Sequence, residues 1–214
     1  RYLNSFHDQN VDGIILIGTL FTAEHKERLK HLSVPIVILA QRLDGYSCVY
    51  SDDYHASLDL TSRLAKTGHV FGYINAESRD EAVGHSRKKG FEDGLNQAGQ
   101  EHAPRYYAEA VFSMESGYQM AKKLFTDHPD IDTLLCATDT IASGALRYFH
   151  EQEIPVPEQV QIAGFGDSSI ARATTPTLTT AHFFYEEAGS EAGKILLDMM
   201  QEKEHPLNRE LKLG

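Results

Sequence analysis

Residues 131–147 read IDTLLCATDTIASGALR, and this stretch decides the fold. Ile131, Leu134 and Leu135 form a short buried strand that ends in the small residues Cys136 and Ala137. Thr138-Asp139-Thr140 then breaks the apolar run with side chains that hydrogen-bond locally. Asp139 or Thr140 caps a following helix, whose apolar positions Ile141, Ala142, Ala145, Leu146 and Phe149 make one 3.6-residue stripe. Strand, polar tip and helix in succession is the unit of an open parallel sheet, where ligands bind at the carboxyl ends of the strands. Thr138 and Asp139 point at such a crevice. The plainer alternative is that they only cap the helix.

The same alternation runs along the chain. Residues 11–17, VDGIILI, are a nearly continuous apolar strand, the pattern of a sheet buried on both faces. A helix from Thr22 and a second buried strand from Ile36 to Ala40 follow. Cys48 to Tyr50 is a short strand. The next helix carries Tyr54, Leu58, Thr61, Leu64 and Ala65 on one face and stops at Gly68. Further strands lie over 69–74, 106–111, 160–165 and 178–184. Helices lie between them: one holds Arg87, Phe91 and Leu95 and closes at Gly99, and another starts at Ser113. Residues 1–9 look like the last turns of a helix, 186–201 is a helix, 171–176 is irregular, and 211–213 is a final strand. Strands alternating with helices give an α/β fold with parallel sheets.

The chain has 214 residues, 41% hydrophobic and 24% charged, enough for one domain or two small lobes with real cores. Its formal charge of −11 makes it a poor nucleic-acid binder by itself, because neutralising phosphates needs Lys and Arg. No transmembrane run or signal peptide appears. Cys48 and Cys136 sit alone in apolar segments, which suits buried thiols and a reducing compartment. CxxC, HExxH and P-loop motifs are absent, and the scattered histidines suggest no metal site. No cofactor is expected.

Gly164-Phe165-Gly166-Asp167-Ser168-Ser169 invites a GxGxxG reading, but the last glycine is missing and no clear helix follows. It reads either as a tight strand-end turn or as a tip that aims Asp167 at the same crevice as Asp139. Arg87 lies in a basic run that can be a plain solvated face; one of its cations could instead turn inward and fork onto ligand oxygens. Phe112, Phe183, Phe184 and Tyr185 are either core or platforms for the apolar faces of a sugar. No acid–base pair or Ser-His-Asp set has a defensible spacing.

The order of pieces resembles the effector-binding domain of LacI/GalR-family transcriptional regulators. The matching segments are Val11-Asp12-Gly13-Ile14-Ile15, Val34-Pro35-Ile36-Val37, Asp53 with its helix, Gly68-His69, and Arg87-Lys88-Lys89-Gly90-Phe91 as R-x-x-G-F. Ser116-Gly117-Tyr118, Thr138-Asp139 with Gly144-Ala145-Leu146, Gly164-Phe165, and Pro176 with Leu178-Thr179-Thr180 complete the set. Two segments, LLCATDTIASGALRYFHEQ and IAGFGDSS with TLTTAHFFYEEAG, resemble sucrose- or trehalose-operon repressors most.

The resemblance implies a two-lobed periplasmic-binding-protein-like (type I) fold with three interlobe crossings, near Gly68, residues 180–183 and residues 204–208. The N-terminal lobe would hold residues 1–68 and 184–204, without its first strand-helix-strand. The C-terminal lobe would hold 69–181 and 207–214. A lobe lacking that strand would expose core surface, costly at ~25 cal/mol per Å², so a fragment of a longer chain is expected, with the DNA-binding headpiece absent. Matching ligand positions one at a time places Arg87, Phe112, Thr138, Phe183 and Tyr185 at the interlobe cleft, and Gln41 facing it. Arg87 would clamp hydroxyls or a phosphate, while Phe112 and Tyr185 would flank the ring. The family's usual Asp after Gly-Phe is Gly166 here, so the carboxylate comes from Asp167 or is absent; Asn is common where Thr138 stands.

The implied protein is a cytoplasmic, dimeric sugar-responsive regulator that binds a sugar or sugar phosphate and reads operator DNA through the headpiece. The helix over 141–149 would contribute to the dimer interface. A periplasmic sugar-binding protein of the same fold is the alternative, and a sugar-modifying α/β enzyme is a further one.

Overall fold

The computed structural model describes residues 11–18, 20–201 and 208–214. The helix expected over residues 1–9 and most of the crossing expected at 204–208 lie outside them. The chain divides into two compact units, 1–52 with 184–214, and 53–183.

The first unit is built on a parallel sheet of order β1-β2-β3-β9, comprising Ile14–Ile17, Ile36–Leu39, Ser47–Ser51 and Glu210–Leu213. Strand β2 explains why its sequence is uniformly apolar. Ile36 and Ile38 face the side that holds Leu29 of helix α1 (Ala23–Lys30), while Val37 faces Ala188, Ala192 and Ile195 of helix α7 (Tyr185–Gln201). Strand β1 departs from the expected two-sided burial. Ile14 is buried, but Ile15 is 40% and Ile17 68% exposed, because among the described strands β1 is the edge, with β2 its one partner.

The second unit carries five parallel strands in the order β5-β4-β6-β7-β8: Arg105–Glu109, Phe71–Asn75, Thr133–Cys136, Gln161–Gly166 and Thr179–His182. Helices α2 (Asp53–Leu64) and α3 (Arg87–Gln97) cover one face over Phe71, Tyr73, Leu135 and Phe165. Helices α4 (Met114–Asp127) and α5 (Asp139–Glu151) cover the other over Ile74, Leu134 and Cys136. Leu134 and Leu135, adjacent in sequence, thus serve opposite cores. The strand order reverses between β4 and β6, which is where an open parallel sheet forms a ligand crevice.

Two assignments of chain to lobe change. Residues 53–68 belong with the second unit, because α2 packs on α3 where Gly90 and Gly94 leave room for the Tyr54 and Leu58 carbonyls. Residues 208–214 belong with the first, because β9 extends β3 in register from Cys48–Glu210 to Ser51–Leu213. The chain therefore passes between units at 52–53 and at 183–184, not at Gly68. Two local readings also shift. The residue capping α5 is Thr138, whose hydroxyl accepts from Ile141 N–H at 3.3 Å, with Asp139 the first helical residue. A short helix, α6 (Ser169–Ala173), does follow the Gly164–Asp167 tip.

Helices α4 and α5 touch backbone to backbone through Gly117 and Gly144. A Cβ on Gly144 would run into the Met114 carbonyl. Gly144→Ala should cost about 1–3 kcal/mol, read from the midpoint of urea unfolding.

Candidate functional site

The carboxyl end of β6 meets one buried side chain, Arg87. It begins α3, immediately after a π-helical turn, Glu81–Ser86, that Asp80 caps. Arg87 is 6% exposed, so its charge has to be answered within the protein. Nε donates to Asp53 Oδ1 at 2.7 Å, and Nη1 donates to the Ala137 carbonyl at 2.5 Å, just past the end of β6. The guanidinium carbon also lies 4.9 and 4.8 Å from the ring centroids of Phe165 and Phe183, whose planes are 14° apart. The Ser57 hydroxyl donates to the Arg87 carbonyl at 2.6 Å, fixing the start of α3 on α2. Arg87 is therefore turned inward and pre-oriented at the point where the strand order reverses.

A second carboxylate organises the neighbouring strand ends. Asp139 is 2% exposed and accepts from Ser168 N–H and Oγ–H, both at 2.9 Å, and from the Thr180 hydroxyl at 2.6 Å. Both of its oxygens are engaged, so Asp139 joins the start of α5 to the tips after β7 and within β8. Gly164 leaves no Cβ where Asp139 comes closest.

Asp167 sits at φ +46 and is held by Arg172 Nη2 at 2.8 Å and by His182 Nδ1 at 2.9 Å. Those partners, Arg172 first, bring its carboxyl down to about 2. Asp167 is thus an ion-paired tip carboxylate, and the buried acid beside Arg87 is Asp53. In the sequence Asp53 is a motif position with no assigned role. Its signal was an acid opening a helix directly after a buried strand, in a chain that also carries an inward-facing R-x-x-G-F arginine.

The other candidates distribute as follows. Thr138, half-buried, adjoins the Ala137 carbonyl that Arg87 binds. Phe183 is 5% exposed and serves both the core and Arg87. Phe112 is 48% exposed on the loop after β5, at the same end of the sheet. Gln41 and Tyr185 belong to the first unit. Gln41 is buried after β2 and donates to the Gly18 carbonyl at the end of β1, whereas Tyr185 opens α7 and is 60% exposed.

Sequence reading missed a set of unsatisfied groups on β4 and the turn after it. Tyr73 Oη, Asn75 Oδ1 and Asp80 Oδ2 are buried with no hydrogen-bond partner. Each such atom costs about 1–3 kcal/mol. Burial raises the Tyr73 hydroxyl well above its ordinary value, and the Cys136 thiol likewise. Burial also raises the Asp80 carboxyl above its ordinary 3.8, against the pull of the Val83 and Ala82 N–H groups. Among the described residues no three His, Cys, Asp or Glu side chains gather as metal ligands, and no helix is long and apolar enough to cross a membrane. Both cysteines are buried free thiols.

Residues 61–214 match the family described as the periplasmic binding protein-like domain. The chain is 31% identical over 207 residues to the HTH-type transcriptional regulator TreR of Escherichia coli, covering 96% of this chain and 62% of that one. It is 29% identical over 204 residues to the sucrose operon repressor of Staphylococcus xylosus, covering 93% and 61%. A LacI family transcriptional regulator from Enterococcus faecium, solved with bound ribose, superposes with a TM-score of 0.87 at 26% identity, covering 99% of this chain and 79% of that one. The chain belongs to the periplasmic-binding-protein-like domain family, as a parallel α/β domain whose strand ends carry a polar site. Within it, it is an effector-binding domain of the LacI family, and its relatives are transcriptional regulators rather than enzymes. It spans about three-fifths of the length of the curated relatives it matches.

Two stability measurements check the site. Asp53→Ala leaves Arg87 buried without its counter-ion and should cost about 3–5 kcal/mol in denaturant unfolding. Asp80 holds its proton to higher pH folded than unfolded, so its contribution to stability falls as pH rises from the unfolded value through the folded one. Asp80→Asn keeps an acceptor for Val83 N–H and removes the ionisation. The variant should melt above the parent at about pH 7, with the difference vanishing below about pH 4.

Proposed function

We propose that this chain is the ligand-sensing part of a sugar-responsive transcription regulator, a repressor by kinship, and that its effector is a sugar or sugar phosphate. The observation that carries the reading is Arg87. A buried arginine, held by Asp53 and the Ala137 carbonyl where the strand order reverses, offers N–H groups to ligand oxygens at the place such sheets bind ligands. Thr138, Phe183, Phe112, Asp139 and Asp167 are taken as the surrounding contacts on the second unit, and Gln41 and Tyr185 as those on the first. The ribose carried by the Enterococcus faecium relative and the similarity to a sucrose operon repressor support a sugar.

In the whole protein the effector would alter operator binding through a DNA-reading headpiece, in a cytoplasmic dimer. Such coupling requires the effector to bind two conformations unequally. Helix α5 is the proposed dimer element. Its apolar face is used against α4 and β7, so the surface it offers a partner is polar, with Arg147, His150 and Glu151 exposed.

Calorimetric titration with sucrose, fructose, trehalose, glucose and their 6-phosphates tests the reading. One member should bind saturably. Arg87→Lys keeps a cation beside Asp53 but loses the planar fork, and should weaken that binding about tenfold or more, with the thermal melt confirming a folded sample. Absence of binding across the panel by folded protein would end the sugar-sensing reading.

A further inference from the structure

The polar groups around Arg87 also bear on the charge of the ligand, given the sensing site proposed above. Among the described residues Arg87 is the one buried cation, while three carboxylates are buried in the same unit: Asp53, Asp80 and Asp139. Arg87 is already ion-paired with Asp53. Asp80 lies close enough to feel both Arg87 and Asp53. The arginines on the exposed tips of this sheet end are paired too, Arg79 with Glu77 and Arg172 with Asp167. A phosphate arriving here meets no unspent positive charge among these groups, and buried negative charge that outnumbers the positive.

The unsatisfied atoms point the same way. Asn75 gives its amide N–H to the Gly84 carbonyl at 2.9 Å and keeps Oδ1 without a partner. Asp80 uses Oδ1 to cap Val83 N–H at 2.9 Å and keeps Oδ2 without a partner. Both side chains are more than nine-tenths buried. Asn75 Oδ1 and Asp80 Oδ2 are acceptors that call for donors, and a third orphan, Tyr73 Oη, can donate or accept. Arg87 Nη2, by contrast, has no acceptor among the described residues. A sugar hydroxyl both donates and accepts and suits this mixture, whereas a phosphate dianion only accepts.

We propose that the site takes an uncharged polyhydroxy ligand, a neutral sugar, and discriminates against the phosphorylated form of the same sugar. Its hydroxyls donate toward Asn75 and Asp80 and accept from Arg87, and Asp53 holds Arg87 neutralised for that purpose.

Titration of the chain with matched pairs reads this out: sucrose and sucrose 6-phosphate, trehalose and trehalose 6-phosphate, glucose and glucose 6-phosphate, ribose and ribose 5-phosphate. The tightest-binding sugar should be neutral, and should bind about tenfold or more tighter than its phosphate. Its affinity should change little with added salt, since no net charge is neutralised. Asp80→Asn replaces an acceptor by a donor and removes a negative charge. It should weaken the neutral sugar and narrow the gap between the pair, in a sample whose melt shows it folded. A phosphorylated sugar that binds as well as its neutral partner, or better, overturns this inference and leaves the sensing reading in place. Failure of every pair to bind to folded protein overturns the sensing reading, and this inference with it.

Discussion

The ion pair between Arg87 and Asp53 is the interaction on which the second unit depends. Burying a charge costs more than a lone contact returns, so each partner is tolerable only because the other is there. That condition sets the position of everything attached to them. Asp53 opens α2 and Arg87 opens α3, so the pair fixes the starts of two helices that must lie close together. Gly90 and Gly94 permit the approach, and the Ser57 hydroxyl on the Arg87 carbonyl locks its register. Through the Ala137 carbonyl the same arginine reaches the end of β6, so a helix pair and a strand end on the other side of the switch are held by one side chain.

Asp139 does for β6, β7 and β8 what Arg87 does for the end of β6 and the starts of α2 and α3. Its two oxygens collect Ser168 and Thr180. A carboxylate at the first turn of α5 also meets the positive end of that helix, which offsets part of its burial cost. The ends of β6, β7 and β8 are therefore fixed by two buried charged groups, while Asn75 Oδ1 at the end of β4 and Asp80 Oδ2 on the turn after it are left without partners.

Much of this was legible in the sequence because it follows from local pattern. The apolar runs of β2 and β6, buried on both faces, and the helical stripes of α4 and α5 reflect periodicities of two and 3.6 residues. What escaped depended on distant partners. Residues 211–213 read as strand, but their place beside β3 rests on a ladder between segments about 160 residues apart. The helix over 53–64 was assigned to the wrong unit because nothing in its own stripe says which sheet it will cover; the glycines that decide it lie in α3. Asp167 is expected to supply a carboxylate because it follows the Gly-Phe tip, and Asp53 carries no expected role. In the fold that tip turns it toward Arg172 and His182, whereas Asp53 is drawn inward by an arginine 34 residues away.

The second unit begins at Asp53 and ends at Phe183, and both residues touch Arg87, one by an ion pair at 2.7 Å and the other with its ring centroid 4.8 Å from the guanidinium carbon. The residues just across each boundary are bonded elsewhere. Asp52 pairs with Lys212 at 2.6 Å and takes the Leu213 carbonyl on its N–H, and the Phe184 carbonyl accepts from Ala188 in the first turn of α7. At both passages the boundary residue of the second unit touches the same arginine. A ligand that binds Arg87 acts on side chains one peptide bond from each passage. Coupling between ligand and conformation needs only that the ligand favour one arrangement of those residues over another.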